Sequence, residues 1–197
     1  MNRRLLQLLM TLTTILLFAA PGMAQDIPGW EISGGYSFQK SNVRKYFRST
    51  PIIFSLRNEA VNLHGWDVSV TENMNRWFGG TLDIRGHYAR PEVQGVKNNE
   101  RMYTLMYGPR FSFRQAGASF TPFTHVLFGV AHMKVNVSPG PSASKYSFAV
   151  AGGGGLDIKF SNNAAVRVIQ ADYLRADTLG TNKNSFRVSA GVILYLR

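Results

Sequence analysis

The chain contains no cysteine, so it has no disulfide staple, no thiolate nucleophile and no thiolate metal site. After residue 25 no apolar run is long enough for a membrane-spanning helix, and no stretch keeps a helical period. There is no composition break and no Pro- or Ser-rich linker, which leaves one domain for about 170 residues. Acid is scarce: 11 Asp and Glu stand against 22 Lys and Arg, a formal charge of +11. If such a chain crosses a membrane, it must do so as a closed barrel.

What is present begins with an export signal. Asn2-Arg3-Arg4 supplies a positive start, Leu5 to Ala20 an apolar run, and Pro21-Gly22-Met23-Ala24 small residues before a cut. Cleavage is expected after Ala24, giving a signal peptide over 1–24 and one domain over 25–197. A retained anchor is the alternative, for which the run is short. Without Arg3 and Arg4, 20 basic residues face 11 acidic ones, or +9. In the cytoplasm that balance would suggest nucleic acid. Export argues against it and turns the charge towards the phosphates of lipopolysaccharide.

Eight segments alternate apolar and polar residues. In Tyr103-Thr104-Leu105-Met106-Tyr107-Gly108-Pro109-Arg110-Phe111-Ser112-Phe113-Arg114 the odd positions are nearly all apolar or aromatic. A strand puts such a row on one face. The segments lie near Trp30 to Phe38, His64 to Asn73, Trp77 to Tyr88, Met102 to Arg114, Phe120 to Val135, Tyr146 to Phe160, Ala165 to Leu174 and Ser185 to Arg197. Tight turns are expected at Met74-Asn75-Arg76, Gln115 to Ser119 and Ser161 to Ala164. Between them fall longer connections, expected as loops, at Gln39 to Leu63, Ala89 to Arg101, Asn136 to Lys145 and Arg175 to Asn184. Strict alternation puts every long connection at one end and both termini at the other, as in barrels with extracellular loops and periplasmic turns. The fold expected is all-β: an eight-stranded antiparallel up-and-down transmembrane β-barrel. A soluble periplasmic barrel around an apolar ligand would need the aromatic row to point inward.

Gly65-Trp66-Asp67-Val68-Ser69-Val70, Gly108 to Arg114, Phe120-Thr121-Pro122-Phe123-Thr124-His125, Gly153-Gly154-Gly155-Leu156-Asp157 and Arg167 to Tyr173 resemble the small outer-membrane β-barrels of the OmpA/OmpX type. The resemblance covers nearly all of the mature chain. It implies an outer-membrane location and biogenesis through the barrel assembly machinery, and it transfers no catalytic residue. A peptidoglycan-binding domain after the barrel is not expected. The ending Tyr195-Leu196-Arg197 departs from the family's usual terminal Phe.

Alternation sends Asp67, Asp83, Arg85, His87, Arg110, Arg114, Asp157, Lys159, Asp172 and Arg187 inward. Buried charges must be paired or wet, so these ten read as a lumen polar network, with a narrow path for ions or small solutes as the alternative. His64, His87, His125 and His132 show no metal-ligand spacing. Ser41 or Ser49 with His87 fixes no triad geometry, so no enzyme chemistry, cofactor or metal is expected. Gly152 to Gly155 runs on into a strand and cannot act as a phosphate cradle. Its glycines give bending room or space for lumen arginines. Gly152 and Gly154 would face lipid without a side chain. Pro109 and Pro122 each call for a bulge or a strand end. Trp66, Trp77, Tyr88, Tyr103 and Tyr173 fit interfacial girdles. Lys40, Arg44, Lys45, Arg48 and Arg57 form a basic cluster suited to lipopolysaccharide or an anionic surface partner. The function expected is structural or surface-interactive, with a small passive pore as the alternative.

Overall fold

The structure, a computed structural model, describes residues 27–50, 53–89, 92–93, 96–138, 142–178 and 181–196. The expected leader and its cleavage site lie outside these residues. The strands are β1 (Trp30–Thr50), β2 (Ile53–Asn73), β3 (Phe78–Ala89), β4 (Glu92–Val93), β5 (Val96–Ser112), β6 (Phe120–Ser138), β7 (Ser142–Lys159), β8 (Ala164–Thr178) and β9 (Thr181–Leu196). All neighbours are antiparallel, β1 pairs with β9, and β3 and β4 both pair with β5. The two-residue β4 therefore continues the β3 wall, and the sheet closes as an eight-walled barrel. Closure pairs both edges of every wall around the barrel, and only past it does the β1–β2 hairpin, from Asn42 to Leu63, pair with itself alone.

The outer surface is apolar. Tyr103, Leu105, Tyr107 and Phe111 are 36%, 53%, 57% and 46% exposed, while Thr104, Met106, Arg110 and Ser112 between them are buried. The aromatic row points outward, which overturns the soluble-barrel alternative. From Phe113 to Tyr103 the rise along a tilted strand gives an apolar belt about 25 Å tall. Trp66, Tyr88, Tyr103 and Tyr173 mark its upper rim and Trp77 its lower one, all exposed.

The expected tight turns are present and chemically specified. Asn75 Oδ1 accepts hydrogen bonds from the backbone of Trp77 (2.9 Å) and Phe78 (2.8 Å). Ala118 N donates to Gln115 O (3.2 Å), and Gly117 takes φ 77°, which glycine adopts without strain. Phe160 and Ser161 N both donate to Ala164 O, at 3.3 and 3.2 Å.

At the opposite, long end the expected loops are largely strand. β1 and β2 stay in register from Trp30↔Glu72 to Arg48↔Phe54, so most of Gln39 to Leu63 is a hairpin that continues past the belt. β5, β6, β7, β8 and β9 likewise run on into the other three connections. Once two antiparallel strands are aligned, continued pairing satisfies their backbone groups whether or not the side chains alternate.

The two prolines behave differently. Pro122 lies inside β6, paired in register with Leu156 of β7 but beyond the last β5–β6 pair, where its carbonyl accepts from Phe113 N (2.8 Å), so it ends the ladder to β5 and not the strand. Pro109 makes neither a bulge nor an end: pairing to β6 lapses at Gly108 and Pro109 and resumes at Arg110↔His125 in unchanged register. The bulge lies in β8 instead. Arg167 pairs with Gly191 and Gln170 with Ser189, so Val168 and Ile169 together stand against Ala190. Both project outward, each 47% exposed.

Candidate functional site: the charged interior

The inward residues of eight walls meet across a narrow lumen. Of the ten expected there, Asp67, Asp83, Arg85, His87, Arg110, Asp157, Asp172 and Arg187 are buried. The other two lie at the turn-end mouth. Arg114, half-buried, pairs with Glu31 and donates to Asn73 Oδ1 (3.1 Å) and Arg76 O (3.1 Å). Lys159 is exposed and lines a recess of about 500 Å³ with Phe160 and Tyr195. It is the last residue of β7, so no wall continues past it to close over the side chain.

Nearest the turns, Asp157 receives two guanidinium groups. Arg110 Nη2 lies 2.7 Å from its Oδ2, and Arg167 contributes Nε at 2.9 Å to Oδ1 and Nη2 at 3.2 Å to Oδ2. Arg110 also reaches Glu31 (3.4 Å), and Arg167 donates to Gln170 Oε1 (2.8 Å) and Ser33 Oγ (3.3 Å). Both guanidinium carbons stand over the buried Phe123 ring, 4.0 and 4.6 Å from its centroid. That ring fits because β7 has no side chain opposite: a Cβ at Gly155 would lie 2.7 Å from Phe123 Cζ. Gly155 thus makes room for Phe123, and through it for the arginines stacked upon it.

Farther from the turns a second cluster surrounds Asp172. Arg85 binds Asp83 twice through Nε (2.9 and 3.1 Å) and reaches Asp172 Oδ2 through Nη2 at 2.8 Å. His125 Nε2 is 2.9 Å from Asp172 Oδ1 but out of line for a hydrogen bond, and Arg187 Nη2 is 3.6 Å from Oδ2. His87 Nε2 meets Ser37 Oγ at 2.9 Å, while its Nδ1 has no partner. Ser41 pairs instead with Ser185 (3.0 Å), and Ser49 lies outside the described side chains. The Ser37–His87 pair is buried, and among the described residues no carboxylate accepts from His87 Nδ1.

Beyond the second cluster apolar side chains join the interior. Towards the long end Leu63 on β2, Ala89 on β3, Leu127 on β6, Ala151 on β7 and Leu174 on β8 point inward and join Met102 and Met106 of β5 in one buried cluster, with the buried polar Gln39 of β1, which donates to Met102 Sδ (3.3 Å), and Ser185 of β9 beside them. Composition hides this layer, because its residues are spread over six walls, one or two from each.

Glu31, Phe123, Arg167 and Gln170 belong to the network without having been expected there. Strict alternation back from Asp172 assigns Arg167 to the outer face, and the extra residue in β8 reverses that phase. Glu31 follows the inward parity of Ser33 and was readable from it. Of the basic cluster, Lys40 is exposed on the outer surface. Arg44, Lys45, Arg48 and Arg57 lie in the β1–β2 hairpin, with Lys45↔Arg57 in register, and their side chains lie outside the described residues.

Residues 10–193 match the outer membrane protein beta-barrel domain. The chain belongs to that family and is an outer-membrane β-barrel. No curated protein matches the sequence. Among solved structures, neisserial surface protein A is similar over 85% of this chain and 97% of its own, at 13% identity and a TM-score of 0.65. Ail, the attachment invasion locus protein of Yersinia pestis, is similar over 85% of this chain and 99% of its own. Its structure with the heparin analogue sucrose octasulfate gives 17% identity, its structure alone 19%, and both a TM-score of 0.55. At these identities the likeness is one of fold.

Proposed function

We propose that this barrel is a plugged, surface-interacting protein of the outer membrane rather than a pore or an enzyme. In this reading the 1–24 leader is removed, the barrel assembly machinery inserts the chain, the turns and termini are periplasmic and the long end is extracellular. The observation that carries it is the filled interior: Arg85, Arg110, Arg167 and Arg187 are at most 4% exposed, and beyond them the buried Leu63, Met102, Leu127, Leu174 and Gln39 occupy the lumen. Charged side chains locked to one another across an eight-walled lumen leave conduction no aqueous column.

Function then falls to the surface. The β1–β2 hairpin carries Lys40, Arg44, Lys45, Arg48 and Arg57, a density of cations that suits phosphate or sulfate groups. Its partner is lipopolysaccharide saccharide or another anionic polymer of a neighbouring surface, and nucleic acid plays no part. Sucrose octasulfate, seen with Ail, supplies a defined polyanion for the test.

The refolded mature chain should migrate heat-modifiably in detergent and give no discrete steps in a planar bilayer. It should bind sucrose octasulfate, and replacing Arg44, Lys45, Arg48 and Arg57 together by Gln should abolish that binding. Discrete channels lost on neutralising Arg110 and Asp157 would establish the pore alternative instead.

A further inference from the structure

The outer wall carries an unbalanced pair of cations. Arg101 of β5 and Lys134 of β6 are register partners, and both are exposed on the outer face. Like charges directly opposite on one face of a ladder repel and destabilise the pairing. No carboxylate compensates them among the described residues. The charged outward positions at this end are Lys40, Arg101, Lys134 and Arg175, whereas the outward Glu72 lies at the turns and Glu100 points into the lumen.

Immediately towards the turns, Tyr103 and His132 are also register partners. Tyr146 of β7 stacks on His132, with ring centroids 4.2 Å apart at 18°. The Tyr103 hydroxyl donates to Tyr88 (3.2 Å), which also accepts from Trp66 Nε1 (3.3 Å). Below this shelf Leu105, Val130 and Phe148 are 53%, 46% and 66% exposed. Along one wall the order is two cations, a platform of rings with polar edges, then a bare apolar slope.

We propose that this wall is a lipid site, in which Arg101 and Lys134 clasp a phosphate monoester of an outer-leaflet glycolipid of the lipid A type. The phosphate neutralises the facing cations. The sugar lies against Tyr103, His132 and Tyr146, whose faces suit pyranose C–H groups and whose edges suit hydroxyls. The acyl chains run down over Leu105, Val130 and Phe148. This site is separate from the tip hairpin and does not need it. It rests only on the orientation proposed above, with the long end at the outer leaflet.

The test uses the full mature barrel in nanodiscs of phosphatidylcholine, alone or doped with diphosphoryl lipid A or its dephosphorylated form. Native mass spectrometry counts retained lipid, and heat-modifiable mobility confirms folding. Wild type should retain diphosphoryl lipid A, and inorganic phosphate should not displace it. R101Q/K134Q should weaken retention about thirtyfold, since each interfacial cation contributes about a factor of five. K40Q/R175Q, which removes the same charge elsewhere on the rim, should change it less than about threefold, and R101K/K134R should keep it. Equal losses in the two Gln pairs would reduce the site to a diffuse field and overturn it. So would equal retention of dephosphorylated lipid, or displacement by inorganic phosphate. Nanodiscs present lipid A on both faces, so these outcomes do not depend on orientation. Surface labelling of K45C in whole cells tests orientation separately.

Discussion

The two ion-pair clusters of the lumen use the same residue types and differ in how completely they close. Around Asp157, every buried polar atom of Arg110, Arg167, Asp157 and Glu31 has a partner. Around Asp172, Arg85 Nη1, Arg187 Nε and Nη2, His87 Nδ1, His125 Nε2 and Asp67 Oδ1 accept or donate no hydrogen bond to the protein. The difference comes from the walls. The bulge in β8 turns Arg167 inward beside Asp157, and Phe123 gives both arginines a surface to rest on. On the other side β9, β1 and β2 present Gly191, Gly35 and Gly65, which have no side chain, and the short Ser37 and Ser189, of which Ser37 meets only His87 Nε2 and Ser189 Oγ has no partner. A buried guanidinium stabilises a barrel only where its geometry is completed.

Breaking the closed cluster should have the largest effect. Asp157→Asn removes the shared acceptor and leaves Arg110 and Arg167 facing one another, so unfolding stability should fall by about 3–5 kcal/mol. Urea titration of the barrel refolded in phosphatidylcholine vesicles, followed by heat-modifiable mobility, measures it. A loss under about 1 kcal/mol would mean that the cluster is no better closed than its neighbour.

Packing beneath the closed cluster comes next. In Gly155→Ala the new methyl would sit 2.4 Å from Ile169 O and 2.7 Å from Phe123 Cζ. The ring would have to move from under both arginines, at a cost of about 1–3 kcal/mol. Gly152→Ala, where nothing lies within 4 Å, should stay within about 0.5 kcal/mol. Equal costs at the two positions would sever Phe123 from the stability of the cluster.

Much of this architecture was legible in the sequence, because period-2 alternation and turn chemistry act locally. The row Tyr103-Leu105-Tyr107-Phe111, the turn at Asn75 and the inward Asp83, Arg85 and Asp172 follow directly from them. Three features were not, each for a physical reason. The long end is strand, since backbone pairing propagates without side-chain pattern. The apolar cluster around Met102 and Met106 is distributed over separate walls and comes together only after closure. Arg167 sits beyond a one-residue insertion that reverses the parity on which its assignment depended.

That insertion gives a smaller and counter-intuitive prediction. Asp157 pairs with Arg167 and Leu156 with Ile169, so Val168 is the residue without an opposite number on β7. Deleting Val168 restores alternation with Arg167 and Gln170 both still inward and with Asp157 still opposite Arg167. Stability should fall by less than about 1 kcal/mol, and the deletion variant should keep the wild-type heat-modifiable shift. A loss as large as that of Asp157→Asn would mean that the bulge itself, rather than the contacts it permits, holds the cluster.

The smallest effect should come from removing a charge at the open cluster. Arg187 donates to Thr104 at 3.5 Å and stands 3.6 Å from Asp172, with Nε and Nη2 otherwise unpartnered. Arg187→Met keeps the length of the side chain, discards the buried donors and leaves Asp172 with Arg85 and His125. Trading an incompletely paired buried charge for a packed apolar chain is neutral or stabilising, so the urea midpoint should hold or rise. Arg167→Met makes the same chemical change where the pairing is complete, and there the cost should approach that of Asp157→Asn. If both arginines cost the same, completeness of pairing has no bearing on stability, and the lumen behaves as a uniform salt rather than as two clusters of different quality.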